Sequence, residues 1–235
     1  MARSVMILIL VLGAAGTASA AVLLSADFEG MTVGQPIGVG GAALGEPVDN
    51  YNCVSTIRDA PFPSTCLEMD DETDFATGGV TFEFLESAEV TEGIVQISAR
   101  LWFAEMDGYY VYVREQGSAA ESFNTLYFQF DGDIMASDAS GSLGSIGLYE
   151  IGHAMELRII HDLDAGTYDI WWDGSPAVEG RAHGIVGRGV GGLLCGIDHD
   201  ADLDGLFYMD DLLVETGPIT PNETATWSSV KSAWR

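Results

Sequence analysis

Positive charge is nearly missing from this chain: 36 aspartates and glutamates stand against 9 lysines and arginines, and Lys231 is the only lysine. A long-range field of that sign repels phosphate backbones and anionic lipid, which excludes nucleic acid and membrane surfaces as partners. It favours divalent cations, while most of the carboxylates serve to solvate the surface. Cysteine is scarce too, with Cys53, Cys66 and Cys195 and neither a CxxC pair nor a histidine-linked spacing, so zinc and thiol redox chemistry are excluded. The four histidines, His153, His161, His183 and His199, share no spacing. No long apolar run follows residue 20, and nothing after it is expected to span a membrane. Sustained helical periodicity and internal repeats are also missing.

The first twenty residues read as an export signal: Arg3, an apolar run over 5–12, then Ala18-Ser19-Ala20. Cleavage is expected before Ala21, giving a secreted or cell-surface protein. Loss of Arg3 then leaves 36 acids against 8 bases, or −28. The remaining chain suits one large β domain over 21–216, with residues 217–235 as linker and tail.

What the chain does contain is alternation. Residues 94–114 form two period-two runs separated by Met106-Asp107-Gly108, the pattern of a β-hairpin. Val95, Ile97, Ala99, Leu101 and Phe103 make one apolar row, and Tyr109, Val111 and Val113 another. A three-residue loop with Gly108 left-handed would pair Phe103 with Val111 and Leu101 with Val113. The opposite face would then pair Trp102 with Tyr112 and Arg100 with Arg114.

Further strands are expected over 22–28, 80–85, 125–130 (Leu126, Phe128 and Phe130 inward) and 155–161. Another pair of runs, closing on Leu163-Asp164-Ala165-Gly166, sets Ile159 opposite Ile170 and so Arg158 opposite Trp171, which is cation-π geometry. Residues 46–74 read as a polar loop, 137–147 as a loop rich in Ser, Gly and Asp, and 206–215 as a final strand. Many strands, few helical signals and frequent glycine turns predict an all-β fold, a two-sheet antiparallel β-sandwich or jelly roll.

Asp27-Phe28-Glu29-Gly30, Trp172-Asp173-Gly174 and the run Tyr208-Met209-Asp210-Asp211-Leu212-Leu213-Val214 resemble the concanavalin A-like lectin/glucanase superfamily, particularly the laminin-G-like jelly rolls of exported bacterial proteins. Many such domains carry a tryptophan just before the strand that begins near Met155, where this chain has His153-Ala154. A galactose-binding-like jelly roll shares the same opening and closing signals. The resemblance implies glycan binding, although a fold does not by itself specify function.

The outward positions supply a candidate binding face: Arg100, Trp102, Tyr110, Tyr112, Arg114, Tyr127, Gln129, Arg158 and Trp171, with Gln96, Ser98, Glu156 and Asp169 among them. Sugars present apolar C–H faces and polar rims, so flat aromatics interleaved with hydrogen-bonding groups suit them. Arg100 opposite Arg114 would repel unless an anion lay between, which makes an acidic glycan a candidate; alternatively Glu156 or Asp169 neutralises the arginines.

Asp198-His199-Asp200-Ala201-Asp202-Leu203-Asp204-Gly205, followed by Asp211, has the oxygen spacing of a calcium loop, with Asp200, Asp202, Asp204 and Asp211 as ligands. Asp27 or Glu29 with Asp210 or Asp211 is a second calcium geometry. Cys53 and Cys66 are expected to form a disulfide in an exported protein, and Cys195 to be a buried small hydrophobe. Catalysis is weakly represented. Glucanases of the resembling fold carry ExDxxE, and Glu105-Met106-Asp107 lacks the third acid.

In the tail, Trp227, Val230 and Trp234 share a helical face, with Lys231 and Arg235 on another. It resembles the tryptophan-lysine-arginine endings of some exported bacterial surface proteins and is expected to act as a sorting or docking tag. The function expected is a non-catalytic carbohydrate-binding module stabilised by calcium; the alternative is a structural surface or matrix subunit.

Overall fold

The computed structural model describes residues 21–35, 47–51, 54–70, 78–84, 89–115, 122–185, 188–198 and 205–217. The expected export signal, most of the calcium loop and the tail lie outside them. Among the described residues fifteen strands run in chain order: β1 Ala21–Ala26, β2 Pro47–Tyr51, β3 Val54–Arg58, β4 Cys66–Asp70, β5 Gly78–Glu83, β6 Ile94–Phe103, β7 Tyr109–Arg114 and β8 Ser122–Phe128. They continue as β9 Asp133–Asp138, β10 Gly141–Leu148, β11 Ala154–Asp162, β12 Thr167–Trp172, β13 Ser175–Ala182, β14 Gly192–Ile197 and β15 Leu206–Thr216. All pairings between them are antiparallel, in two sheets. The first has the order β13-β12-β11-β6-β15-β4-β3 with β1 also on β15; the second is β10-β9-β8-β7-β14-β5-β2. The chain is a two-sheet β-sandwich.

The two inner rows lie where alternation puts them. Val95, Ile97, Ala99, Leu101 and Phe103 are buried, as are Tyr109, Val111 and Val113. The expected hairpin, however, is an arch. β6 belongs to the first sheet, between β11 and β15, and β7 to the second, between β8 and β14. The rows therefore face each other across the core instead of lying side by side in one sheet. Both arrangements bury the same residues, so alternation alone does not choose between them.

The connection is wired by tyrosine hydroxyls. Tyr149 Oη lies 3.0 Å from the Asp107 carbonyl and 2.9 Å from that of Gln129, and Tyr109 Oη lies 3.1 Å from the Glu105 carbonyl. Asp107 is buried and its carboxylate accepts the Gly108 N–H at 2.7 Å, while Gly108 does not take the left-handed conformation. Above the arch, the Phe103 ring lies 4.7 to 5.6 Å from those of Tyr149, Phe128, Tyr109 and Phe207, joining both sheets.

The β11–β12 register is as expected: Ile159 pairs with Ile170 and Arg158 with Trp171. Asp173 and Gly174, both at positive φ, close the next hairpin, a left-handed pair of the kind that Asp-Gly turns supply. Three expectations differ. Residues 137–147 are not a loop but most of the β9–β10 hairpin, whose glycines sit at two register shifts of the edge strand β10. Residues 46–74 include β2, β3 and β4. Phe130 falls past the end of β8 and is 62% exposed, not inward.

Candidate functional site

The arch splits the expected binding face in two. Arg100, Trp102, Arg158 and Trp171 lie on the outer side of the first sheet, and Tyr110, Tyr112, Arg114 and Tyr127 on the outer side of the second. Trp102 does not pair with Tyr112, nor Arg100 with Arg114, because the core lies between them. Gln129 belongs to neither face; it is exposed in the turn after β8, its N–H bonded to the Asp133 carbonyl at 2.8 Å.

On the first sheet, Arg158 stands between Trp171 and Ser98, its Cζ 4.5 Å from the Trp171 ring centroid. Partial burial lowers the Arg158 pKa, and Glu156 and Asp169 oppose that shift. One row further on, Arg100 pairs across the sheet with Glu156 and Asp210. Its Nη1 lies 3.3 Å from Asp211 Oδ2 and 3.9 Å from Asp210 Oδ2. Phe62 and Ser64, between β3 and β4, reach over this area. Phe62 is buried with its centroid 4.8 Å from Arg100 Cζ and 6.2 Å from the Trp102 ring, edge on, and Ser64 Oγ donates to Asp210. Burial, helped by the neighbouring Asp211 charge, pushes the Asp210 carboxyl up to about 6, against the Ser64 hydrogen bond and Arg100, which lower it. The acids expected to neutralise the arginines were Glu156 and Asp169; Arg100 instead meets Asp211, and Arg114 meets Glu83 at 3.9 Å.

On the second sheet, Tyr110 and Tyr112 stack at 4.7 Å and Tyr112 Oη lies 2.9 Å from Tyr127 Oη. Tyr110 is buried although it points outward. A Cβ at Gly79 would lie 2.8 Å from Tyr110 Oη and 3.1 Å from Gly196 Cα, so its ring reaches over glycines where no side chain intervenes. The two tyrosines on this face that keep some exposure are Tyr112 and Tyr127.

The calcium and disulfide expectations fall largely outside the described residues, as do Asp200, Asp202 and Asp204. Asp211 sits five residues into β15, about 16 Å from the strand's first residue, since an extended chain advances about 3.3 Å per residue. It occupies a bulge, at φ 54, where β15 changes partner from β4 to β1, and the bulge turns Asp211 toward Arg100. Among the described residues no three His, Cys, Asp or Glu side chains gather as a metal site. Cys66 is a buried free thiol 3.1 Å from the Ala60 carbonyl, and burial raises its pKa to about 12. Cys53 lies outside the described residues. Cys195 is buried on β14, as expected.

Sequence reasoning missed three features. Phe62 and Ser64, from Pro61-Phe62-Pro63-Ser64, gave no periodic signal, and their role exists only through long-range contact. A buried polar pair joins the sheets: His161 Nε2 lies 2.8 Å from Asn124 Oδ1, with the His183 ring 6.1 Å from that of His161. Parity held that clue, since His161 follows Leu157 and Ile159 on the inward row and Asn124 precedes Leu126 and Phe128 on the facing one. The third is a groove of about 470 Å³ between the edge strands β10 and β13, with Trp172 and Met155 in its lining.

Neither a protein-family model nor a curated protein sequence matches the chain. Solved structures do. A sialidase matches with TM-score 0.58 at 10% identity, over 72% of this chain and 16% of the sialidase. The shared property is the fold. The binding domain of botulinum neurotoxin serotype G matches with TM-score 0.57 at 9% identity, over 91% of this chain and 52% of that one. A carbohydrate esterase of the Shiga toxin-encoding bacteriophage phi24B matches with TM-score 0.54 at 12% identity, over 85% of this chain and all of that one. This chain thus spans about a sixth of the sialidase and about half of the toxin domain.

Proposed function

We propose that this chain is an exported carbohydrate-binding β-sandwich of the concanavalin A-like type, acting by binding and not by catalysis, with its site around Arg158 and Trp171. The observation that carries the reading is the Arg158 guanidinium held 4.5 Å over the Trp171 ring on an outer sheet face, with Glu156 and Asp169 beside it. The stacked guanidinium offers donors, the carboxylates offer acceptors, and the indole offers apolar surface, which together suit the rim and face of a sugar ring. The names of the sialidase and the phage esterase point the same way. With Arg100 and Arg114 on opposite faces, the reason to expect an acidic glycan disappears. Two acids around one arginine favour a neutral sugar.

Affinity electrophoresis through neutral polysaccharides tests this. Retention of the wild type is expected, with Trp171→Ala and Arg158→Ala each weakening it about tenfold, the effect of about 1.4 kcal/mol; Tyr112→Phe, on the other face, leaves it unchanged. Retention indifferent to Trp171, or none on any polysaccharide, removes the site. Calcium at the loop around Asp200, Asp202 and Asp204 is a separate proposal, resting on ligand spacing alone. Its expected result is a higher Tm in calcium than in chelator, by about 3 °C or more for a tightly held ion; identical melting in both rejects it.

A further inference from the structure

The groove between β10 and β13 has a chemistry unlike that of the Arg158 patch. Leu148, Met155, Trp172 and Pro176 give it apolar side chains among polar ones, Glu150 and Asp173 supply acids, His153 stands 4.0 Å from Glu150, and the lining contains no lysine or arginine. Trp172 is held in place by its Nε1–H, which donates to the Leu148 carbonyl at 2.9 Å. Leu148 is 65% exposed. It belongs to one end of the sandwich, where Met106, Phe130 and Ile151 are exposed as well, and those four are most of the large hydrophobics exposed among the described residues. A cleft of this size that mixes apolar side chains with acids is shaped for a bulky amphipathic side chain accompanied by positive charge.

One segment of the chain has that chemistry. Residues 226–235 contain Trp227, Val230 and Trp234 together with Lys231 and Arg235, and no acid, in a protein where acids outnumber bases 36 to 9. Reach permits the contact. The Gly217 N–H bonds to the Ile94 carbonyl at the start of β6, whereas Phe103 at the far end of β6 bridges to Ile151 beside the groove. The path is about 30 Å along β6 and about 14 Å across three strand spacings. The 17 residues from Gly217 to Trp234 extend up to about 58 Å, enough to follow the surface, while Trp227 reaches only if the chain is nearly straight. Tethering also places the segment at an effective concentration of order millimolar.

We propose that the groove is the docking site of the chain's own segment 226–235, with Trp234 seated among Leu148, Met155 and Trp172, and Lys231 and Arg235 facing Glu150 and Asp173. This does not depend on the carbohydrate reading.

The test places a photo-reactive benzoylphenylalanine at position 234 of the full chain and maps the adduct by mass spectrometry. The expected product is a cross-link within one chain to residues 146–155 or 172–177. Leu148→Asp, and separately the pair Glu150→Lys with Asp173→Lys, should each lower its yield at least fivefold. The melting of Leu148→Asp should match the parent, since Leu148 is exposed. Adducts elsewhere, adducts between chains, or a yield indifferent to Leu148→Asp each overturn the proposal. Polysaccharide retention measured on the same variants separates the two sites: the groove substitutions leave it intact, whereas Trp171→Ala weakens it about tenfold.

Discussion

Replacing Phe103 by alanine is expected to remove about 4 kcal/mol of unfolding free energy, the upper range for losing a buried aromatic ring. The ring is fully buried and meets Tyr149 at 4.7 Å, Phe128 at 4.8 Å, Tyr109 at 5.0 Å and Phe207 at 5.6 Å. Phe207 belongs to β15 in its own sheet, Tyr109 and Phe128 to β7 and β8 in the other, and Tyr149 follows β10. The cavity left behind would therefore open between sheets at the arch, where collapse requires both to move, and incomplete collapse is what makes such losses large. For a domain of this size the fall in Tm is about 10 °C. Phe103→Leu, which keeps most of the volume, should cost about 1 to 2 kcal/mol. Denaturant unfolding checks both through a lowered midpoint at unchanged slope. A loss below about 1 kcal/mol for the alanine variant would mean that the sheets are held together elsewhere.

Acid is expected to weaken the fold through His161. The imidazole is fully buried against Asn124, Phe123, Tyr168 and His183. Burial, and secondarily the nearby His183, push its pKa down to about 3. The unfolded imidazole titrates near 6.5, so between these values the unfolded chain binds the proton that the folded chain refuses. Stability from this group is complete above pH 6.5 and is lost as pH falls toward 3, by on the order of 4 kcal/mol. His183, lowered as well by burial, adds in the same direction. Asp210 opposes them: its folded pKa near 6 exceeds the unfolded value, so the folded chain holds the extra proton and gains stability as pH drops from 6 toward 4.

A difference measurement isolates the histidine. In His161→Gln the amide can still donate to Asn124 Oδ1, and the Asp210 contribution cancels between the proteins. The stability advantage of wild type over variant should shrink by several kcal/mol between pH 7 and pH 4. A constant difference across that range would show that His161 does not titrate as its burial requires.

Legibility in the sequence followed the range of the interaction. The Arg158–Trp171 contact could be placed because a four-residue turn joins β11 to β12, and parity from Ile159 and Ile170 then aligns every later pair. Cys195 was legible as a buried hydrophobe from its neighbours alone. Where the connecting segment does more than turn, local pattern stopped being informative. The five residues between Phe103 and Tyr109 cross from sheet to sheet, and the burial of both flanking rows is the same for an arch and for a hairpin. Phe62 on Arg100 and Trp102, and Ser64 on Asp210, are contacts between residues distant in sequence, with no periodic trace.

By itself, then, the sequence determined the pleat: which residues point inward, that the chain forms antiparallel sheets, and that two inward rows meet in one core. Period-two alternation is a property of the extended backbone and needs no partner to be read. Only the tertiary structure decided which sheet each strand joins. That choice put Trp102 and Tyr112 on opposite outer faces, covered Trp102 with Phe62, and left Arg158 with Trp171 as the surviving pair. Strand membership depends on contacts among residues far apart in the chain, and alternation is identical for every arrangement that buries the same rows.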